Sequence, residues 1–300
     1  MRRILFGVFC LIVIFVGCVR IEEYEIVRYK APNWTSDGKI VFVEDYNFVR
    51  DKHTWTGTEG NIKGGKEILT LCEIDRDGKN LKQIVKLAES PDYAYSLGIT
   101  STSSAGEWVA IAMRTVDSDY DEVFVVKRDG TGLKNLGEGS YPDLSPDGKK
   151  IVYQKPNQGL WIKNIDGSGD RQIVADANAM QPAWSPDNYR IAYVKFQQES
   201  LIVIDTIGQS LITIVPLEGG WYEKPDWGPA DSNAIISYVN GRGRGEICYL
   251  AGDSLISKQE KFLSGSNWKW SPQGSCFIGY DSEGYFVINR DGSNKWYLKP

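Results

Sequence analysis

One histidine, His53, stands in 300 residues. A metal site built on imidazoles, or any Ser-His-Asp relay, would have to use that residue alone. It sits in Arg50-Asp51-Lys52-His53-Thr54-Trp55, a polar stretch that reads as an exposed loop. No Gly-x-Ser-x-Gly elbow occurs, which removes the nucleophile turn of α/β-hydrolases. Basic excess is missing too: 34 Lys and Arg face 39 Asp and Glu, a net charge of −5, with no basic block. Nucleic-acid binding is driven by phosphate neutralisation, so nucleic acid is not an expected partner. No stretch of helical period is long enough to suggest a helical fold.

Cysteines are few. Apart from Cys10 and Cys18 there are Cys72, Cys248 and Cys276, each in a strand-like apolar run, where a thiol serves as a small buried hydrophobe. A Cys248–Cys276 disulfide would need the third strand of one unit to lie close to the second strand of the next.

A long apolar run occurs only at the amino terminus. Met1-Arg2-Arg3 is followed by 13 apolar residues, Ile4 to Val16, and then Gly17-Cys18. That run is short of the roughly 20 residues a membrane-spanning helix needs. It has the layout of a bacterial signal peptide over 1–17, with Phe15-Val16-Gly17-Cys18 similar to a lipoprotein processing box and Cys18 the lipidated residue. Phe15 stands where Leu is usual. Residues 18–29 then read as a tether and closing strand, with Glu22 to Arg28 expected to pair with the last unit of the fold.

What the sequence has in quantity is a repeat. Pro32-Asn33-Trp34-Thr35-Ser36-Asp37-Gly38 recurs as Pro142-Asp143-Leu144-Ser145-Pro146-Asp147-Gly148, Pro182-Ala183-Trp184-Ser185-Pro186-Asp187, Pro225-Asp226-Trp227-Gly228-Pro229 and Trp268-Lys269-Trp270-Ser271-Pro272. The last four anchors, Leu144, Trp184, Trp227 and Trp270, are 40, 43 and 43 residues apart, and the gap of 110 after Trp34 has room for a degenerate copy near Ile99. A period near 40 marks arrays in which one unit cannot bury its own apolar face. Within a unit, an apolar-anchored strand meets a Ser-Pro-Asp-Gly turn, where Pro presets φ and Gly accepts a positive one. A second strand, a variable loop, a third strand, an Asp-Gly turn and a fourth strand follow. Six such units predict an all-β fold, a six-bladed β-propeller of four-stranded antiparallel blades over residues 30–300, with an insertion at 44–66 in blade one.

These motifs resemble the WD-like repeats of TolB and the propeller domains of prolyl oligopeptidases, which share a P-x-W-S-P-D-G core followed by a D-x-D-G turn. The second unit lacks Pro-x-Trp, the fifth reads Gly228-Pro229-Ala230-Asp231, and no Trp-Asp dipeptide occurs. The resemblance implies an exported, envelope-tethered, monomeric module that holds a protein or peptide partner over its channel mouth. The hydrolase domain of the oligopeptidases is not expected after the sixth unit.

Strand connectivity puts both turn types on one face and the longer loops on the other. The long-loop face gathers aromatics, and function concentrates on long loops. Trp55, Tyr95, Tyr141, Trp221, Tyr222, Trp268 and Arg242 are the candidate partner contacts, because large aromatics and Arg dominate binding hot spots. No catalytic residue, metal or cofactor is assigned. The alternative is glycan binding or cleavage, with aromatics stacking on sugar and the acids Asp117, Asp119, Asp121 and Glu122 as ligands or acid and base. Asp75-Arg76-Asp77-Gly78 begins like a calcium loop, but no closing Glu follows, so a turn is expected. Replacing Cys18 by Ser should move the protein from the membrane to the soluble fraction on cell fractionation, since that lipid site is the one strong membrane signal in the sequence. Continued membrane association would instead mean an uncleaved apolar anchor.

Overall fold

The computed structural model describes residues 20–54, 57–61, 65–90, 97–115, 118–215, 221–240, 244–261 and 266–298. They form six antiparallel sheets arranged as the blades of a propeller, each built from consecutive strands running from the inner edge outward. Blade one comprises Arg20–Trp34, Ile40–Thr54, Lys66–Ile74 and Lys82–Ser90, with a fifth short strand, Gly57–Asn61, on the end of the second. The inner strands of blades two to six are Gly98–Ala105, Ser140–Leu144, Ala179–Trp184, Trp221–Trp227 and Ser266–Trp270.

The repeated turn phrase acts through its side chains. In blade three the Ser145 hydroxyl accepts the Lys150 N–H at 2.9 Å and donates to Asp147 at 2.7 Å, while Asp147 accepts the Lys149 N–H at 3.1 Å. Blade four repeats this with Ser185, Asp187 and Arg190, and Asn188 takes the left-handed place of the glycine at φ 62°. The Asp-Gly turns work alike: Asp129, Asp166 and Asp291 accept N–H bonds from Thr131, Ser168 and Ser293 at 2.8–2.9 Å. Asp75-Arg76-Asp77-Gly78 is such a turn, closed by Asp75 N–H to Lys79 O at 3.0 Å.

Strand alternation then does the packing. In the second strand of blade one, Val41 and Val43 face blade two, whereas Ile40 and Phe42 face blade six. The six apolar clusters correspond one to one with the six interfaces between neighbouring blades. Each blade is thus covered on both faces by its neighbours, as the repeat period required.

Closure differs from expectation. Glu22 to Arg28 does not pair with the last blade: Glu22 lies opposite Asp51 and Arg28 opposite Asp45, within blade one. The last blade takes its fourth strand from Trp296–Tyr297, beside Gly284–Asn289, rather than from the amino-terminal segment. The ring closes instead through side chains. Trp34, Ile40, Phe42, Cys72 and Ile74 pack on Cys276, Ile278, Val287 and Leu298, and the Trp34 indole N–H donates to Lys269 O at 3.3 Å. The early part of the 44–66 insertion is likewise strand, extending Ile40–Thr54 to 15 residues. His53 therefore lies in a strand opposite Arg20, where a loop was expected.

Cys72, Cys248 and Cys276 are all buried and free. Cys248 faces blade four and Cys276 faces blade one, so the two thiols point to opposite interfaces and do not pair. Burial pushes the Cys72 and Cys248 thiols up to about 12. Because Trp34 is both a repeat anchor and the seam, Trp34→Ala should destabilise the fold by about 3–5 kcal/mol in chemical denaturation. An unchanged denaturation midpoint would show that the seam does not contribute to stability.

Candidate functional site

The inner strands line an axial channel, and each has a break in register near its middle. Pro has no N–H for the ladder and belongs at edges or bulges. Pro32, Pro142, Pro182 and Pro225 all fall in these breaks. Ala31, Tyr141 and Gln181, each just before a proline, and Asn267 before Trp268 have left-handed φ of 48–57°. Around these bulges lies a cavity of about 630 Å³, open solvent at its mouth included, lined by residues of all six blades.

The residue after each bulge proline, or its counterpart, ties its blade to the next. Asn33 donates to Thr102 O at 2.8 Å, and Ser103 accepts the Leu144 N–H at 3.0 Å. Asp143 accepts the Trp184 N–H at 2.5 Å, and Ala183 O accepts the Trp227 indole N–H at 3.1 Å. Asp226 accepts the Trp270 N–H at 2.6 Å, and Lys269 O receives Trp34 to complete the circuit.

Three members of this ring are charged and meet in the channel wall. Lys269 Nζ lies 3.0 Å from Asp226 Oδ1, and Ser103 donates to Asp143 Oδ1 at 2.6 Å. Asp143 and Lys269 both border the cavity. Burial pushes the Asp143 carboxyl up to about 6, against the pull of Lys269, its bonds to Ser103 and Trp184, and with a further push from Asp226. Asp226 is raised by burial as well. Burial alone would lower Lys269, but Asp226 and Asp143 outweigh it and hold the ammonium above its usual value.

The sequence candidates separate sharply. Tyr141 lines the cavity, half-buried, on the blade-three bulge. Tyr222 and Trp268 are 0% and 1% exposed and are not available to a partner, which corrects the expectation for both. Tyr222 packs in the interface of blades four and five with its hydroxyl donated to Glu246, and Trp268 meets Phe277 and Phe286 edge-on at 6.0 and 5.5 Å. Their places in inner strands, at positions that face a neighbouring blade, explain the burial. Trp221 begins the inner strand of blade five, with its side chain outside the described residues. Trp55, Tyr95, Arg242 and Cys18 lie outside the described residues, as does Asp117. Asp121 is paired with Arg114 at 3.3 Å. Among the described residues no group of three or more metal-ligating side chains gathers. Asp143, Asp226 and Lys269 were not singled out from sequence, although a charged residue inside Pro-x-Trp, its Pro-x-Leu counterpart or Trp-x-Trp is the signal that would have found them.

No family model matches the chain. Dipeptidyl-peptidase 5 of Porphyromonas gingivalis is 38% identical over an alignment of 68 residues that covers 19% of this chain and 10% of that peptidase. TolB from Acinetobacter baumannii superposes with a TM-score of 0.58 at 12% identity, over 93% of this chain and 79% of that one. Oligogalacturonate lyase from Vibrio parahaemolyticus gives 0.51 at 11% identity, over 92% and 99%. The chain is a six-bladed β-propeller with the architecture of TolB.

The raised carboxyl has a pH signature. A group that holds its proton more tightly in the folded state adds stability below its ordinary pKa of 3.8, and that contribution is lost as pH rises through about 6. Asp143→Asn keeps an oxygen for the Trp184 N–H and has no charge to bury. In paired thermal melts, the Asn variant should gain on wild type as pH goes from 4 to 8. A difference that does not vary with pH would rule out a buried titration at this position.

Proposed function

We propose that the protein is a binding module of the cell envelope that holds a protein or peptide partner at the channel mouth on its long-loop face. The cavity carries this reading: it is walled by backbone bulges, apolar proline rings and two aromatic side chains, Tyr141 and Tyr285. Such a site is concave and sets polar groups, Asp143 and Lys269 among them, in an apolar surround, as binding sites generally do. The likeness to TolB supports a binding or scaffold role, and the leader and Cys18 support export with a lipid tether. We take the module to act as a monomer without a cofactor.

The likeness to oligogalacturonate lyase is the observation that favours the glycan alternative. Oligogalacturonate is a polyanion, however, and the one cation bordering the cavity among the described residues, Lys269, is already held by Asp226 at 3.0 Å, with Asp143 adding negative charge nearby. The electrostatics therefore oppose an acidic sugar chain in this channel.

The test is capture from solubilised envelope with the mature chain as bait. Tyr141→Asn removes the ring while suiting the left-handed backbone, since Asn is enriched there. Combined with Trp221→Ala, it should reduce partner recovery about tenfold, equivalent to losing one good contact, with unchanged circular dichroism. Full recovery would move the contact surface to the short-turn face, and cleavage of a glycan by the purified protein would replace the binding reading.

A further inference from the structure

The channel has a polarity that the shape of the cavity alone does not convey. One carboxyl, Asp143, and one ammonium, Lys269, border the cavity, and the ammonium is committed: Lys269 Nζ lies 3.0 Å from Asp226 Oδ1. Asp143 accepts hydrogen bonds from a Ser103 hydroxyl at 2.6 Å and the Trp184 N–H at 2.5 Å, both neutral donors, and feels the Lys269 charge without forming an ion pair with it. It borders the cavity. An ionised carboxylate in a confined site of low polarity favours an opposite charge far more than it would in bulk water.

A second observation is independent of those carboxyls. Four of the six blades place a proline on the cavity wall: Pro32, Pro142, Pro182 and Pro225. Proline has a carbonyl and no N–H. At these four places the wall can offer a ligand apolar ring surface or an acceptor, never a donor. The Ser101 hydroxyl oxygen, on the wall in blade two, is buried without a hydrogen-bond partner. The lone pairs of that hydroxyl, like the Asp143 carboxylate, can receive an ammonium or guanidinium, which brings donors and charge together.

We propose, building on the binding reading above, that the channel receives a cationic side chain or amino terminus of a peptide partner, with Asp143 as its counter-ion. The proline rings pack on the apolar stem of the incoming chain, as long cationic side chains bury their methylenes while their heads stay solvated or paired. Asp226 and Lys269 hold one another in place and keep the wall from collapsing into an unpaired charge. The other titratable side chains bordering the cavity are the phenols of Tyr141 and Tyr285, the latter held above its usual value by burial. Asp143 loses its charge below about 6, so capture of a cation should weaken as pH falls through that value.

The test uses the mature chain and three end-blocked hexapeptides of glycine and alanine that differ at one central residue: lysine, acetyl-lysine or glutamate. Affinity is measured by calorimetry at pH 7.5 and pH 5. The lysine peptide should bind about tenfold tighter than either of the others at pH 7.5, the effect of one charge-assisted contact. The preference should shrink at pH 5, and Asp143→Asn should remove it while leaving circular dichroism unchanged. Equal binding of the acetyl-lysine peptide, tighter binding of the glutamate peptide, retention of the preference in Asp143→Asn, or no binding of the lysine peptide would each overturn the inference. Envelope capture separates this from the broader reading. Recovery lost in the Tyr141 and Trp221 variant but full in Asp143→Asn would leave a binding module whose partner is not held by charge.

Discussion

Everything in this propeller depends on how neighbouring blades are joined, because among the described residues no strand is exchanged between them. Six apolar clusters and six inner-strand hydrogen bonds hold the ring, and each cluster is made of residues from two adjacent blades. The bonds run from the residue just after a bulge, Asn33, Ser103, Asp143, Ala183, Asp226 or Lys269, to the next inner strand. In four blades proline interrupts the ladder at the bulge, and in all six the bulge aims the following side chain or carbonyl sideways toward the next blade. The same local irregularity thus supplies both the circumferential bond and the channel wall.

That double use explains the electrostatics. A residue that must reach a neighbour's N–H across the channel wall needs an acceptor, and aspartate serves in blades three and five. Two acids placed there for connectivity would repel each other, and Lys269 from blade six relieves part of that repulsion by binding Asp226. One negative charge is left over. Elsewhere the blades use salt links differently: Arg128 reaches from blade two to Glu73 and Asp37 of blade one near the short-turn surface, where water screens much of the gain.

The repeat made the architecture legible. Blade number, strand number, the two turn types and the burial of Trp34, Trp184, Trp227 and Trp270 all follow from Pro-x-Trp, Ser-Pro-Asp-Gly and Asp-Gly at a fixed period. Closure was not legible, since an alternating segment such as Glu22 to Arg28 pairs equally well with either neighbour on pattern alone. The site was harder still. Tyr222 and Trp268 look like surface aromatics because they begin a blade, yet the inner strand turns them into an interface, and only coordinates reveal which face an inner-strand residue takes. Asp143 and Lys269 are separated by three repeats, and nothing local in the sequence brings them to one wall.

The absence of an exchanged strand also shapes how the ring is assembled in time. Five of the six interfaces join blades that are neighbours along the chain, whereas the seam bond between Trp34 and Lys269 spans 235 residues. Contacts at such separation carry the largest loop-closure cost and tend to form late. A chain emerging from its amino terminus can therefore dock blades one to five in order, but the face of blade one bearing Ile40, Phe42 and Ile74 stays uncovered until blade six arrives. That face is a sticky apolar surface for the whole of synthesis, so the growing end must reach it before another chain does.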